Sequence, residues 1–121
     1  MGQPICHLEI NVSNLDNAKK FYGELLGWTF QSWGEMPYVM FQSAEGSLAG
    51  GLSAFGGPMG GGGITYYAQV DEIEPYLEKA KALGGAVTGE PRLIDENIGW
   101  CGFVTDPDGN VVGLFKPAQH G

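Results

Sequence analysis

A row of three polar side chains near the start of the chain is the feature best suited to chemistry. In the stretch ICHLEINV, residues 5–12, apolar residues alternate with His7, Glu9 and Asn11. Successive side chains of a strand point to opposite faces, so the alternation predicts a strand with one polar face. An imidazole can take up or release a proton near neutral pH, and a carboxylate beside it can orient it or pair with a cation. His7 and Glu9 are therefore the candidate catalytic residues, and Asn11 joins them as a candidate ligand contact.

A second polar row occupies the matching place in the second half of the chain. Residues 64–70, ITYYAQV, also alternate and put Thr65, Tyr67 and Gln69 on one predicted face. A hydroxyl, a phenol and a carboxamide all form hydrogen bonds with ligands. These three residues are therefore further candidate ligand contacts.

The two rows belong to two copies of one structural unit. Each row is followed by one helical pattern and then by three further strand patterns. An offset of 58 residues pairs His7 with Thr65 at the starts of the copies, and an offset of 63 pairs Gly50 with Gly113 near their ends. A repeat of this kind fixes the architecture.

The predicted fold class is α+β, with two βαβββ modules that form a curved mixed sheet around a cleft. Module one spans 4–55, a flexible glycine linker spans 56–63 and module two spans 64–117, all within one domain. The helices would cover the apolar face of each half-sheet and leave the polar rows facing the cleft between the modules. A concave surface with a few convergent polar groups is the usual form of a small-molecule site.

The two helical patterns carry end signals. The first begins after Ser13 or Asn14 and ends at Gly27, and the second begins after Asp71 and ends at residues 84–85, which are both glycine. Short polar residues cap helix starts, and glycine ends helices because it adopts left-handed backbone angles readily.

The composition narrows the range of partners. The formal net charge is −8, from 14 acidic and 6 basic residues, which disfavours nucleic acid, since binding it requires a basic surface. No apolar run is long enough to span a membrane and no charged-then-apolar leader is visible, so we expect a soluble cytoplasmic protein. Cys6 and Cys101 form no C-x-x-C pair and are expected to be free, buried thiols.

Aromatic residues could form apolar walls for the cleft. Aromatic walls suit flat or cationic ligands. Three of them, Tyr67, Trp100 and Phe115, are included among the predicted ligand contacts, and alternation places Phe115 on the same face as Gly113. The full set comprises Trp28, Phe30, Trp33, Tyr38, Tyr67, Trp100 and Phe115.

Several motifs together resemble one known family. They are His7 on the first strand, A-x-x-F-Y-x-x-x-L-G-W at residues 18–28, V-D-E-I at the start of the second helix and DPDGN before the last strand. The chain resembles the vicinal oxygen chelate superfamily, which includes glyoxalase I, extradiol dioxygenases, fosfomycin-resistance enzymes and bleomycin-resistance proteins. This resemblance covers nearly the whole chain and implies a homodimer.

The same resemblance locates four positions that hold a divalent cation in metal-dependent members of the superfamily. They correspond here to His7, Gly50, Thr65 and Gly113. A catalytic metal site keeps at least three protein ligands, whereas these positions supply one imidazole, one hydroxyl and two glycines. We therefore predict no metal and no cofactor. With no side chains at Gly50 and Gly113, the floor of the cleft should be wide enough for a sizeable organic ligand.

The predicted function is metal-independent binding of a small organic molecule that is apolar, aromatic or cationic. Its contacts would be His7, Glu9, Asn11, Gly50, Thr65, Tyr67, Gln69, Trp100, Gly113 and Phe115. The alternative is a metal-free or metal-dependent lyase or isomerase, similar to a glyoxalase or dioxygenase, that uses His7 and Glu9. Binding alone predicts thermal stabilisation by the ligand without turnover, whereas a metal-free enzyme predicts turnover that is lost in His7→Ala.

Overall fold

The computed structural model describes residues 2–32, 34–46, 48–54 and 63–119. It divides into two compact units, one comprising His7–Thr65 and the other comprising Met1–Cys6 with Tyr66–Gly121. Trp33, His120 and nearly all of the glycine linker predicted at 56–63 lie outside the described residues.

The first unit contains a helix and a four-stranded mixed sheet. Its strand order is β2-β3-β4-β1, with β1 parallel to β4 and antiparallel pairing between β2 and β3 and between β3 and β4. The element order is that of the predicted βαβββ module. The elements are β1 (Ile5–Asn11), α1 (Leu15–Leu26), β2 (Thr29–Ser32), β3 (Tyr38–Gln42) and β4 (Ala49–Ser53).

Helix α1 has the ends that its sequence predicts. Of the two predicted caps, Asn14 is the one used, because its side-chain oxygen accepts a hydrogen bond of 2.9 Å from the backbone N–H of Asn17. Gly27 ends the helix with a φ of 73°, in the left-handed region that glycine enters without strain.

The second unit repeats the same architecture. Its strand order is β5-β8-β7-β6, with β5 parallel to β8 and antiparallel pairing elsewhere. Both βαβββ modules of the predicted fold are thereby confirmed. The elements are β5 (Ile64–Gln69), α2 (Glu74–Ala82), β6 (Ala86–Asp95), β7 (Gly99–Thr105) and β8 (Val111–Pro117).

The start of α2 differs from the prediction. Ile73, not Asp71, holds the capping position, and its side chain is 1% exposed. Pro75 stands in the first turn, where its fixed φ suits a helix and its missing N–H is no loss. The helix therefore begins where Ile73 is buried and Pro75 follows, and no polar side chain among the described residues caps it.

Each helix packs on one face of the sheet in its own unit. The first core includes Ile10 and Leu52 from the sheet and Ala18 from α1. The second includes Val104 and Leu114 from the sheet and Leu77 from α2. Neither α1 nor α2, the helices of the described ranges, is long and apolar enough to span a bilayer.

We predict that Leu52→Ala will lower the free energy of unfolding by about 2–5 kcal/mol, because Leu52 is 0% exposed and its removal leaves a cavity. Leu25→Ala is the matched control, since Leu25 is 63% exposed on α1, and should change stability by no more than about 0.5 kcal/mol. Urea denaturation of both variants measures the difference. Equal losses of unfolding free energy in the two variants would contradict the buried position of Leu52.

Candidate functional site

The polar row of β1 lies on the sheet face opposite α1. Ile10 of β1 belongs to the core under that helix, whereas the alternate residues point away from it. The pairings Glu9 with Gly51, Asn11 with Ser53, and Ser53 with Tyr38 extend the row across β4 and β3. We call this surface the polar face, and it comprises His7, Glu9, Asn11, Tyr38, Gly51 and Ser53.

A hydrogen bond between His7 and Tyr38 is the central contact of the polar face. Nε2 of His7 lies 2.8 Å from the Tyr38 hydroxyl oxygen, and Tyr38 is only 7% exposed. Either group can donate, depending on which ring nitrogen of the imidazole carries the proton. The bond fixes the orientation of the imidazole on the face where the sequence places the candidate catalytic residues.

Burial keeps both partners of this bond uncharged. It lowers the pKa of His7 below its ordinary value of 6.5, because an imidazolium ion would lose its hydration. Burial also raises the pKa of Tyr38 far above its usual range, and the negative charge of Glu9 raises it further. At neutral pH the site therefore presents a neutral imidazole and a neutral phenol near a carboxylate.

Gly51 makes room for the ring of Tyr38. A β-carbon built on Gly51 would lie 2.6 Å from Cε1 of Tyr38, and closer still to Cζ and the hydroxyl oxygen. The ring thus fills the place where a side chain at position 51 would project. Here glycine is required by close packing within a strand, despite its low preference for strands.

The predicted contact Gly50 lies on the wrong face. It pairs with Leu8, and a β-carbon on it would lie 2.7 Å from Cζ of Phe41, a core residue under α1. The correct counterpart of Gly113 is Gly51. A shift of one residue in a strand moves every side chain to the other face, so the offset of 63 between the copies was one residue too large.

In the second unit the space above Gly113 is filled by a tyrosine ring, as is the space above Gly51 in the first. Gly113 pairs with Tyr67, and a β-carbon on it would lie 2.6 Å from Cε2 of that ring. The widened floor expected at Gly50 and Gly113 is therefore wrong, because Phe41 packs against Gly50 and the ring of Tyr67 covers Gly113, as close packing of interiors requires.

The surroundings of Tyr67 form an apolar cluster. Tyr67 is 8% exposed and meets Phe103 edge to face, with ring centroids 5.6 Å apart. Cys101 completes the buried set, and Cys6, Val111 and the predicted contact Phe115 pack against it. Two other predicted contacts have contrasting exposure: Thr65 is 2% exposed, whereas Gln69 is exposed.

Trp100 does not share a face with Phe115. Trp100 pairs with Lys116, whereas the next residue, Cys101, pairs with Phe115, so the two aromatic side chains point to opposite sides of the sheet. Trp100 is 41% exposed and borders a surface cavity of about 380 Å³. Trp100 therefore lies on the face opposite to the predicted contacts Gly113 and Phe115.

Asn11 places a buried side-chain amide on the polar face. It is 5% exposed, and its Oδ1 and Nδ2 have no hydrogen-bond partner among the residues that the structure describes. Leaving such a group unsatisfied costs about 1–3 kcal/mol. Asn11 also borders a second surface cavity, of about 510 Å³, near the start of α1. His7 lines neither of these two cavities.

Comparison with known proteins decides the family. Residues 5–114 match the sequence profile of the Glyoxalase/Bleomycin resistance protein/Dioxygenase superfamily. The chain belongs to this superfamily. The resemblance seen in the sequence motifs is thereby confirmed.

Curated relatives of this superfamily member are longer proteins. The chain is 28% identical over 120 residues to a protein of Mycobacterium bovis and Mycobacterium tuberculosis that bears the name "Putative glyoxylase CFP32". The match covers 93% of this chain but 45% of the relative. The chain thus spans less than half the length of the curated relatives it matches.

Solved structures of the superfamily share the fold. A superfamily member from Vibrio splendidus superposes with a TM-score of 0.67 at 17% identity, covering 96% of this chain and 99% of that one. The Mn(II)-bound glyoxalase from Novosphingobium aromaticivorans gives 0.64 at 18% identity, covering 98% and 42%. These likenesses confirm the fold class.

The residues at the superfamily's metal positions do not fit a divalent cation. In the first unit Nε2 of His7 contacts the hydroxyl of Tyr38, and Gly51 supplies no donor. In the second unit the ring of Tyr67 occupies the place of a side chain at Gly113. Within the described ranges, no three residues among His, Cys, Asp and Glu lie together as a metal site requires.

We predict that Gly51→Ala will destabilise the protein by about 1–3 kcal/mol, because the new methyl group overlaps the Tyr38 ring. The cost should shrink in the Tyr38→Ala background, where the ring is absent. A double-mutant cycle measured by urea denaturation gives the coupling. A cost that is the same in both backgrounds would show that the ring does not occupy this place.

The stability of the protein should also depend on pH through His7. The pKa of His7 is depressed in the folded state, so the unfolded state binds the proton more readily as the pH falls below 6.5. The Tm of the wild type should therefore fall from pH 7.5 to 5.5 more steeply than that of His7→Gln. Parallel profiles for the two proteins would contradict a buried, neutral His7.

Proposed function

We propose that this superfamily member is a metal-independent small-molecule-binding protein and that its ligand contacts the polar face. The observation that carries this proposal is the 2.8 Å hydrogen bond between His7 and Tyr38. An imidazole paired with a phenol offers a neutral donor and acceptor, which suits recognition of an organic hydroxyl or carbonyl group better than coordination of a cation.

The charge near the site favours neutral or cationic ligands. Glu9 acts electrostatically on Tyr38, and the chain carries a net charge of −8. A carboxylate beside buried neutral groups attracts cations and repels anions. We therefore propose an aromatic or otherwise apolar ligand that is uncharged or positively charged, in agreement with the sequence prediction.

Proton transfer without a metal is a second candidate function. The same contact favours it, because His7 is held neutral and can accept a proton, while the protonated phenol of Tyr38 can stabilise negative charge that develops on an oxygen. Such a reaction would make the protein a lyase or isomerase that uses His7 with Glu9 and Tyr38.

A compound panel tests the binding proposal. We expect some aromatic or cationic compounds to raise the Tm of the wild type with the logarithm of ligand concentration above Kd, and EDTA to leave the effect unchanged. His7→Gln and Glu9→Gln should weaken the response. Glu90→Gln is the matched control, since Glu90 is an exposed carboxylate on β6, and should respond like the wild type.

Two outcomes of this panel count against the proposal. One is the absence of any compound that stabilises the wild type, and the other is stabilisation that requires added metal. Binding and proton transfer are then separated by incubating the stabilising compounds in D₂O with the protein. Catalysed exchange of carbon-bound hydrogen that is lost in His7→Gln would favour the enzyme, whereas stabilisation without exchange would favour binding alone.

The predicted homodimer and cytoplasmic location stay predictions. A homodimer agrees with the length of the curated relatives, because two copies of this chain together approach the length of one of those proteins.

A further inference from the structure

The side chain of Tyr38 packs and hydrogen-bonds on the polar face as a small bound molecule would. Its ring lies over Gly51, where the strand has no side chain, and its hydroxyl contacts the imidazole of His7. Both features are those that a small hydroxylated aromatic molecule would need in order to bind at this position. The fold thus shows which shape and which chemistry the space above Gly51 accepts.

We propose that Tyr38 is a displaceable internal occupant of the His7 site and that the ligand is an aromatic molecule carrying a hydroxyl group, which takes its place. This inference rests on the proposed function and names the ligand class. The aryl ring of the ligand lies above Gly51, and its hydroxyl forms the hydrogen bond to Nε2 of His7.

Electrostatics selects the uncharged form of such a ligand. Burial disfavours a phenolate at the position of the Tyr38 hydroxyl, and the negative charge of Glu9 acts in the same direction. The hydroxyl of the ligand therefore stays protonated and hydrogen-bonds to the neutral imidazole. An aromatic carboxylate of the same size is repelled by Glu9 and is excluded.

Asn11 supplies a second polar contact on the same face. It pairs with Ser53, and Ser53 pairs with Tyr38, so Asn11 lies in the row from which the Tyr38 side chain starts. Its buried amide has no partner in the described part of the chain. Displacement of Tyr38 opens the face beside this row, where a polar substituent of the ligand can satisfy the amide.

The second unit provides an internal comparison. Tyr67 covers Gly113 as Tyr38 covers Gly51, but Tyr67 is packed among Cys101, Phe103 and other apolar side chains. The space above Gly113 therefore favours apolar rings, whereas the space above Gly51 favours a ring with a hydroxyl. Substitution of the two tyrosines gives a matched pair of variants.

Tyr38→Ala and Tyr67→Ala test the chemistry of the two spaces with p-cresol, which is the side chain of tyrosine as a free molecule, and with toluene, which lacks the hydroxyl. We expect p-cresol at ten times its Kd to raise the Tm of Tyr38→Ala by roughly 5 °C, and toluene at the same concentration to raise it by less than half as much. In Tyr67→Ala toluene should do at least as well as p-cresol. Addition of His7→Leu to Tyr38→Ala should remove the preference for p-cresol.

The wild-type protein tests displacement directly, whether or not Tyr38→Ala folds. The five tyrosines are labelled with 3-fluorotyrosine, and Tyr38→Phe assigns the ¹⁹F signal of Tyr38 by its disappearance. Saturating p-cresol should move that signal to the position of exposed tyrosines and leave the signal of Tyr67 in place. A Tyr38 signal that stays unchanged under saturating p-cresol, or equal responses of Tyr38→Ala to p-cresol and toluene, would overturn the inference.

The results separate this inference from the proposed function. If other compounds stabilise the wild type through His7 and Glu9 while the Tyr38 signal never moves, the binding function stands and displacement of Tyr38 is wrong. If p-cresol moves the Tyr38 signal and raises the Tm of the wild type only after metal is added, and EDTA abolishes both effects, displacement of Tyr38 stands and the metal-independent function is wrong.

Discussion

The polar face depends on one contact, the hydrogen bond that Tyr38 makes to His7 across Gly51. Three conditions meet there. A strand position without a β-carbon admits the aromatic ring, burial keeps both partners neutral, and the nearby charge of Glu9 holds the phenol in its protonated form. Loss of any one of them would change the position of the imidazole or the charge of one partner of the hydrogen bond.

A tyrosine ring packed over a strand glycine occurs in both units of the chain. Each βαβββ unit has a glycine opposite a residue of its first strand, at Gly51 and at Gly113, and each glycine is covered by a tyrosine ring. The tyrosines reach these places from different strands, since Tyr38 begins β3 and Tyr67 lies in β5. Both units therefore cover the glycine with a tyrosine ring, but the tyrosine comes from a different strand in each unit. Among the contacts described, a histidine meets the phenol in the first unit only.

Much of the fold could be read from the sequence. Alternation and helix-end signals located both βαβββ modules, because side-chain periodicity and caps act over a few residues. Local signals do not locate the start of α2, since the burial of Ile73 is decided by tertiary packing and not by its neighbours in the chain.

The site was harder to predict than the fold. Alternation places His7, Glu9 and Asn11 on one face, but the repeat offset of 63 residues selects Gly50, which lies one residue from Gly51 and on the other face of β4. Tyr38 was one of seven aromatic candidates, and nothing local distinguishes it, because its ring runs along the sheet to a residue 31 positions away. The available signal was the pair of adjacent glycines in a strand, which requires large side chains on neighbouring strands to fill the gaps.

We infer that the rings of Tyr38 and Tyr67 take the places of metal donors above Gly51 and Gly113. The most direct test is elemental analysis of the untagged protein after incubation with nickel, zinc, manganese or iron(II) and removal of free metal. We expect no more than about a tenth of an equivalent per chain for every metal, because one imidazole without further donor side chains does not retain a cation through washing. Close to one equivalent of any of them, lost again in His7→Gln, would contradict it.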